Sequence, residues 1–524
     1  MSNSIVKLLI DRAQQHYDAK RYKEVIALLD KANSEHSANK EASLLLAMAF
    51  YKMHDYTQAI AICESLFRLC PDDAQVVMLL ARALFWCGRV TEATNLHLKL
   101  VTESQCNPSQ HSRMIHYAQF DSTLTGIELL AFSRTFESQH GSVYIPNSDS
   151  FLNSPKVDRP LRVGFVSTEL QNHSKYFFIR PLFEAFDRQQ VELYVYSDAK
   201  HPDAHTARIK AVTDHWRDIR EVNDDDVRQQ IRTDRIDILV DLMGHLDRNR
   251  LLCLFDKPAP IVIEYGESPS GLSLFDYRLT DAIADPHGSE LPASTPLVRL
   301  PHGFHCYEPG EDMPAIRPLP PASRAQPVLG YFGVLPKISN PVWAAWIRIL
   351  KQVPQANLML KHQTSYGDWY PEKIRQMLVQ HDIDPERARY YPASPIRNLH
   401  LQTYSLIDVS LDTSPYTGVT TICEALWMGK PVITLNGSHH MARRGASLLH
   451  SAGLQHWVAS DWDAYVDKAV SVINNCDPLA RLRGDALREH VRASSLANAD
   501  TLARSMEQAF RTMWRAWCTQ VVVE

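Results

Sequence analysis

Three β-rich apolar runs, LRVGFVS, VLGYFG and IDVSLD, each lead straight into side chains that hold or move charge. The first delivers Ser167-Thr168-Glu169-Leu170-Gln171-Asn172-His173, the second Val334-Leu335-Pro336-Lys337, the third Asp412-Thr413-Ser414-Pro415-Tyr416-Thr417-Gly418-Val419-Thr420-Thr421. Open α/β sheets bind ligands beyond the carboxyl ends of their strands, so chemistry is expected at these loops. The third is the most informative. A turn containing Gly418 enters the helix ICEALWMG, so backbone N–H groups and the Thr420 and Thr421 hydroxyls converge on a positive helix end, an arrangement that binds phosphate. The competing reading makes Thr420 or Thr421 only the N-cap of that helix, and the sequence weighs the two equally. Lys337, on a facing loop, has the charge to neutralise a departing phosphate. After PVITL, His439, His440, Arg443 and Arg444 are secondary candidates, as easily explained by solvation as by a ligand.

Positioning these loops requires two α/β lobes. Short strands (LRVGFVS, VELYVYS, IDILVDL, IVIEYG) alternate with helical segments from Leu161, and a second such run starts at VLGYFG and continues through NLMLK, IDVSLD and PVITL. Near-continuous apolar strands of this kind form parallel sheets covered on both faces. The lobes are assigned to 157–317 and 318–495, with the proline-rich stretch between Pro309 and Pro327 as hinge, because proline suits neither helix nor central strand. Residues 496–524 read as a terminal helix whose stripe Leu502, Met506, Ala509, Phe510, Met513, Trp514 and Trp517 packs on the lobes.

The first hundred residues repeat with a period of 34: Ala13, Ala47 and Ala81; Tyr22, Tyr56 and Val90; Val25, Ala59 and Ala93. This resembles the tetratricopeptide repeat, about three units over residues 1–107, whose stacked helices bind peptides or partner proteins and catalyse nothing alone. Residues 108–156 form a connector, with one amphipathic helix (IELLAFSRTFESQHG) and then a turn-rich stretch.

Composition narrows the function. The 524 residues suggest about three folding units at roughly 150 per domain. With 55 Lys+Arg against 60 Asp+Glu, the net charge of -5 provides no global field for nucleic acid. No run approaches the ~18 uncharged apolar residues of a membrane span. Nine scattered cysteines without a Cys-x-x-Cys fit reduced thiols in the cytoplasm. No histidine pair has a zinc spacing. The Asp-x-Asp pairs at 382/384 and 461/463 could suggest metal, but Ser460 followed by Asp463 reads as a helix cap with acid in the first turn.

Four segments, LRVGFVSTELQNHS, KPAPIVIEYGESPSGLSLFDYRLTD, LGYFGVLPKIS and LDTSPYTGVTTICEALWMGKPVITLNG, in this order and after tetratricopeptide repeats, resemble the O-GlcNAc transferase (SPINDLY-like) family of protein glycosyltransferases over nearly the whole chain. The resemblance implies a GT-B-type pair of facing doubly wound lobes. It implies inverting transfer of a sugar from a nucleotide donor, UDP-GlcNAc-like, to Ser or Thr of a protein, with neither metal nor cofactor, the nucleotide sugar being a substrate. By the same resemblance His173 matches the active-site histidine and Lys337 the lysine holding the donor phosphates. Arg397 and His400 fall where the family contacts base and leaving diphosphate, Thr420 and Thr421 match its phosphate-binding pair, and Glu424 takes the place of a ribose-binding aspartate.

Three positions depart from the family: Val419 and Val334 replace polar residues, and Glu267 stands where proline is usual. A pocket altered there could accept UDP-GlcNAc or another nucleotide sugar, including a CMP-linked nonulosonic acid. The acceptor proton is assigned to His173 or Glu267. The repeat array is expected to hold the protein acceptor, flagellin being one analogy. A nucleotide-sugar epimerase or hydrolase and a non-catalytic scaffold are the competing classes.

Overall fold

A computed structural model describes residues 3–35, 39–103, 106–144, 151–291, 294–310, 313–316, 326–362, 369–479 and 481–523. Much of the expected hinge between Pro309 and Pro327 lies outside the described residues.

The chain opens with six helices, Asn3–Asp18, Tyr22–Glu35, Lys40–Lys52, Tyr56–Leu69, Ala74–Trp86 and Val90–Thr102, each packed on the next. The repeat follows from close approach: Ala13, Ala47 and Ala81 are each 0% exposed, and Val25, Ala59 and Ala93 fill the companion positions. A larger side chain at the alanines would have to push helices apart.

Two further helices follow where one was expected, Pro108–Ala118 and Gly126–Phe136. Asn107 and Thr125 open them with capping boxes closed by Gln110 and Glu128. The first is hard to see in the sequence because its buried face carries His111 and Ser112 among Met114, Ile115 and Tyr117. Those polar side chains have partners outside the helix: Ser112 Oγ meets His245 Nδ1 at 3.1 Å, and His111 Nδ1 meets His140 Nε2 at 3.1 Å.

Two parallel sheets form the rest. The first contains β1 (Leu161–Ser167), β2 (Val191–Ser197), β3 (His215–Asp218), β4 (Ile238–Asp241), β5 (Ile261–Glu264), β6 (Tyr277–Thr280) and β7 (Leu297–Arg299), in the order β3-β2-β1-β4-β5-β6-β7. The second contains β8 (Val328–Phe332), β9 (Asn357–Lys361), β10 (Ala388–Tyr391), β11 (Val409–Leu411), β12 (Val432–Leu435) and β13 (Val458–Ala459), in the order β10-β9-β8-β11-β12-β13. In each sheet the order reverses between adjacent central strands, β1/β4 and β8/β11, and a crevice opens at such a point. The loops after β1, β8 and β11 are the three singled out from the sequence.

The closing helix Ala499–Val523 returns to the first lobe and packs on the helix Tyr176–Ala185. Leu502, Met506, Phe510, Met513 and Trp514 form its buried stripe, and Trp517 stacks on Trp514 at 4.6 Å. A second interlobe device is the helix His440–Ser451. His440, Arg444 and Ser447 lie on one face, at positions i, i+4 and i+7. His440 Nδ1 meets Asp285 at 2.7 Å and Ser447 Oγ donates to Asp281 at 2.5 Å, both in the first lobe. Met441, Leu448 and Leu449 are buried on the remainder of the helix.

Both Asp-x-Asp pairs are accounted for locally. Asp461, rather than Ser460, caps the helix Trp462–Ile473 by accepting from Ala464 N–H at 2.8 Å, and Asp384 caps a short turn by accepting from Glu386 N–H at 3.0 Å. Among the described residues no helix is long and apolar enough to cross a membrane.

Candidate functional site

β11 is followed directly by Asp412, whose carboxylate organises the loop. It accepts from Gly418 N–H at 2.7 Å and Thr434 Oγ1 at 2.6 Å. A Cβ at Gly418 would stand 2.3 Å from Thr421 Oγ1 and 3.2 Å from Asp412 Oδ1, so only glycine lets the loop close this tightly. The helix Thr420–Trp427 begins directly afterwards. Its N-cap is Val419, and no side chain caps it. Neither threonine is spent as the cap, so the first-turn N–H groups and two half-buried hydroxyls remain at a positive helix end.

Lys337 reaches the same loop from the turn after β8. Its Nζ donates to the Thr417 carbonyl at 3.3 Å and lies 4.6 Å from the centre of the Tyr416 ring. Burial, and then the neighbouring Arg444 guanidinium, pull its pKa down to about 8. Arg444 is 0% exposed and joins the lobes: one nitrogen donates to Thr417 O at 3.1 Å, another to Glu267 O at 2.8 Å, and its plane lies over Tyr416 at 4.7 Å. Glu267 Oε2 stands 4.0 Å from Arg444. Burial alone would raise the Glu267 carboxyl, but Lys175, Arg444, His173 and Lys337 outweigh it and hold the pKa at about 2. A carboxylate this acidic balances charge well and takes protons poorly.

His173 is 38% exposed at the mouth of this cluster. Its Nδ1 accepts the Lys175 N–H at 3.2 Å, so in the neutral ring Nε2 carries the hydrogen and donates. Lys175 is buried, donating to the Leu242 carbonyl at 2.5 Å and pairing with Glu169 at 2.9 Å.

A second group lies one turn further along the helix Thr420–Trp427, within the second lobe. Glu424, 5% exposed, accepts from His400 Nε2 at 3.1 Å and Tyr404 OH at 3.3 Å. Lys361 Nζ donates to His400 Nδ1 at 2.7 Å, which leaves Nε2–H to face the carboxylate. Arg397 lies 3.7 Å from Glu424, donates to Tyr307 OH at 3.2 Å and covers Phe177 at 4.0 Å. Charged, directional groups of this kind match the polar atoms of a nucleoside.

The connector closes the Lys337 end. Phe120 stacks on Tyr416 at 3.9 Å, and His116 meets the same ring edge-on at 5.9 Å. Burial pushes His116 down to about 4, so it is neutral at pH 7.

The structure therefore brings His173, Glu267, Lys337 and Gly418 to one end of the Thr420–Trp427 helix, with Thr420 and Thr421 at that end, and gathers Arg397, His400 and Glu424 about Glu424. It does not bring Arg443 to either group. Arg443 donates to Gly437 O at 2.8 Å and Ser438 O at 2.9 Å, and lines a separate cavity of about 520 Å³ with Leu124, Ile127, Leu130, Leu291 and His439. Its neighbour Arg444 faces the cluster, donating to Thr417 O and Glu267 O. Helix phase alone does not separate the two arginines, since each lies three or four residues from both His440 and Ser447. Lys175, Lys361 and Asp412 carry a weak signal: each is a charged residue within or directly beside an apolar, strand-forming or helix-forming segment.

Residues 143–313 and 324–506 match the model of glycosyl transferase family 41, and residues 16–82 match a tetratricopeptide repeat. The chain is 36% identical over 379 residues to a probable UDP-N-acetylglucosamine–peptide N-acetylglucosaminyltransferase SPINDLY of Solanum lycopersicum, and 35% identical over 379 residues to that of Arabidopsis thaliana. Each match covers 71% of this chain but 41% of the relative, so the chain spans well under half of those proteins. A solved O-GlcNAc transferase mutant of Thermobaculum terrenum is similar along the whole length, with a TM-score of 0.84, 29% identity, and coverage of 99% of this chain and 100% of that one. Repeats, two lobes of the GT-B kind and an interlobe cleft holding the four family segments lead to one conclusion: the chain belongs to glycosyl transferase family 41.

Proposed function

We propose that this chain transfers N-acetylglucosamine from UDP-GlcNAc to a Ser or Thr hydroxyl of a protein acceptor, in the cleft between the lobes. The observation that carries this reading is the pair of groups along the helix Thr420–Trp427, one at its start and one a turn further on. Glu424 with His400 and Arg397 suits ribose and base, and the open helix start with Lys337 suits the diphosphate. As the acceptor oxygen bonds to the anomeric carbon, the bond from that carbon to phosphate oxygen breaks and the hydroxyl proton passes to solvent water. Lys337 and the helix start stabilise the charge gathering on UDP. His173 donates through Nε2 to a sugar or acceptor oxygen. Glu267 keeps Lys175, Arg444 and Lys337 in electrostatic balance. Leaving-group stabilisation is then the dominant contribution, and no strong base is required of either His173 or Glu267.

The acceptor is held by the repeat array, and its hydroxyl enters beside the Glu267 loop. Reduced, unpaired cysteines suit work in the cytoplasm. Flagellin is the first acceptor class to test, on the analogy of the short array. A CMP-linked nonulosonic acid is the second donor to test, because buried Val419 and half-buried Val334 add no hydrogen-bonding side chain beside the phosphates. The test is intact-mass analysis of candidate acceptors incubated with the full chain and UDP-GlcNAc. Addition of one N-acetylhexosamine supports the reading, and hydrolysed donor with unmodified acceptors rejects protein transfer.

A further inference from the structure

By its sequence the repeat array supplies binding surface and no chemistry, yet it touches the turn that carries Lys337. Between the helices Ala74–Trp86 and Val90–Thr102, Gly88 adopts φ +79°, and a Cβ on it would stand 3.2 Å from Leu335 Cγ. Leu335 is 2% exposed and begins the short turn Leu335–Lys337. The adjacent Cys87 carbonyl accepts from Lys373 Nζ at 2.9 Å, and Lys373 belongs to the second-lobe helix Trp369–Gln380. One repeat earlier the His54 carbonyl accepts from Trp369 Nε1 at 3.2 Å, and Tyr56 meets the Trp369 ring edge-on at 6.3 Å. Successive turns of the array thus grip the donor lobe, and the later one presses on the phosphate lysine's own turn. Lys337 is then held from the opposite side by Tyr416, itself stacked on Phe120. Close-packed contacts of this kind transmit displacement instead of absorbing it.

We propose that the array is a positioning element for the donor site: the Cys87-Gly88 turn seats Leu335 and thereby sets where Lys337 stands over the Thr417 loop. This rests on Lys337 holding the donor phosphates. It makes the segment that receives the acceptor part of the scaffold that receives the donor, so a ligand that shifts one alters affinity at the other, reciprocally.

The test uses the full chain with Leu335→Ala, which empties the contact, and Lys373→Met, which removes the bond to Cys87. UDP is titrated into each protein by calorimetry, and UDP-GlcNAc hydrolysis is followed from about pH 6.5 to about pH 9.5. The groups facing Lys337 are Arg444, Asp412 and Glu267, with His116 and Tyr416 from the packed connector and loop; none is altered. The expected result is UDP affinity lowered about threefold to tenfold, and an alkaline limb moved above its wild-type position near pH 8 as Lys337 gains water. A contact that only stabilises the fold would lower the melting temperature while leaving UDP affinity and that limb in place, and this result overturns the inference. Absence of UDP binding to the wild-type chain would instead overturn the phosphate reading on which it rests.

Discussion

The two ends of the cleft are built differently. Around Glu424, the partners His400, Tyr404 and Lys361 all belong to the second lobe, and only Arg397 reaches across to Phe177 and Tyr307. Around Lys337, Glu267 and Lys175 come from the first lobe, Arg444 and Tyr416 from the second, and Phe120 and His116 from the connector. One end is formed mostly inside a single folding unit, with one arginine reaching the first lobe; the other draws on three parts of the chain. On the proposed reading the Glu424 end binds the nucleoside regardless of lobe position and the Lys337 end requires closure, so variants at the two ends should divide between affinity and turnover.

The largest effect is expected at the composite end. Lys337→Met should lower kcat/KM at least a hundredfold, about 2.7 kcal/mol or more, with the fold retained, because the lysine meets a loop carbonyl and a ring face and is no part of an apolar core. Retention of more than about a tenth of wild-type kcat/KM would remove it from the phosphate site. Arg444→Met should follow. It deletes the guanidinium bridge that donates to both Thr417 O and Glu267 O, leaving Glu267 O without that donor and Thr417 O with Lys337 alone, and should cost about 3 kcal/mol of stability and roughly thirtyfold in kcat. An unchanged kcat would show that closure does not depend on this residue.

At the self-contained end, Glu424→Gln should weaken UDP binding about tenfold while hydrolysis at saturating donor stays within about twofold, since a charged hydrogen-bond acceptor contributes about 1.5 kcal/mol or more. A collapse of kcat instead would erase the distinction between the ends. The smallest effect is a pH dependence. Lys337 must be protonated to serve a phosphate, so activity falls as pH rises through about 8. Stability runs the other way for this group. Its folded pKa lies below the unfolded 10.5, so between those values the unfolded chain binds more protons and the fold gains stability with rising pH. Glu267 is the opposite case: its carboxylate stabilises the fold above the unfolded value of 4.5, and that contribution is lost as pH falls from 4.5 towards 2. Activity profiles and melting curves at matched pH separate these contributions.

Residues that depend on one strand and its loop are readable in the sequence, and residues that depend on a second part of the chain are not. The strands are apolar and bounded by turns, so β1, β8 and β11 and their loops fall where pattern places them. The 34-residue period identifies the alanines at which helices touch. The Thr420-Thr421 helix start can be located but not decided, because whether Val419 or a threonine caps it is a matter of backbone angles. The choice between Arg443 and Arg444 turns on which helix face meets the other lobe, some 170 residues away in sequence. The connector's role is hidden for the same reason: Phe120 looks like an ordinary core aromatic until Tyr416 is placed beneath it. The contact between Gly88 and Leu335 crosses from the repeats to the second lobe, and no local pattern announces it.

Calorimetric titration of the full chain with UDP and with CMP, repeated on Lys337→Met, tests the central claim most directly. The two-ended cleft predicts micromolar UDP binding, much weaker CMP binding, and a marked loss of UDP affinity in the variant, because a diphosphate needs both Lys337 and the open helix start. CMP binding tighter than UDP, or UDP affinity indifferent to Lys337, would contradict it.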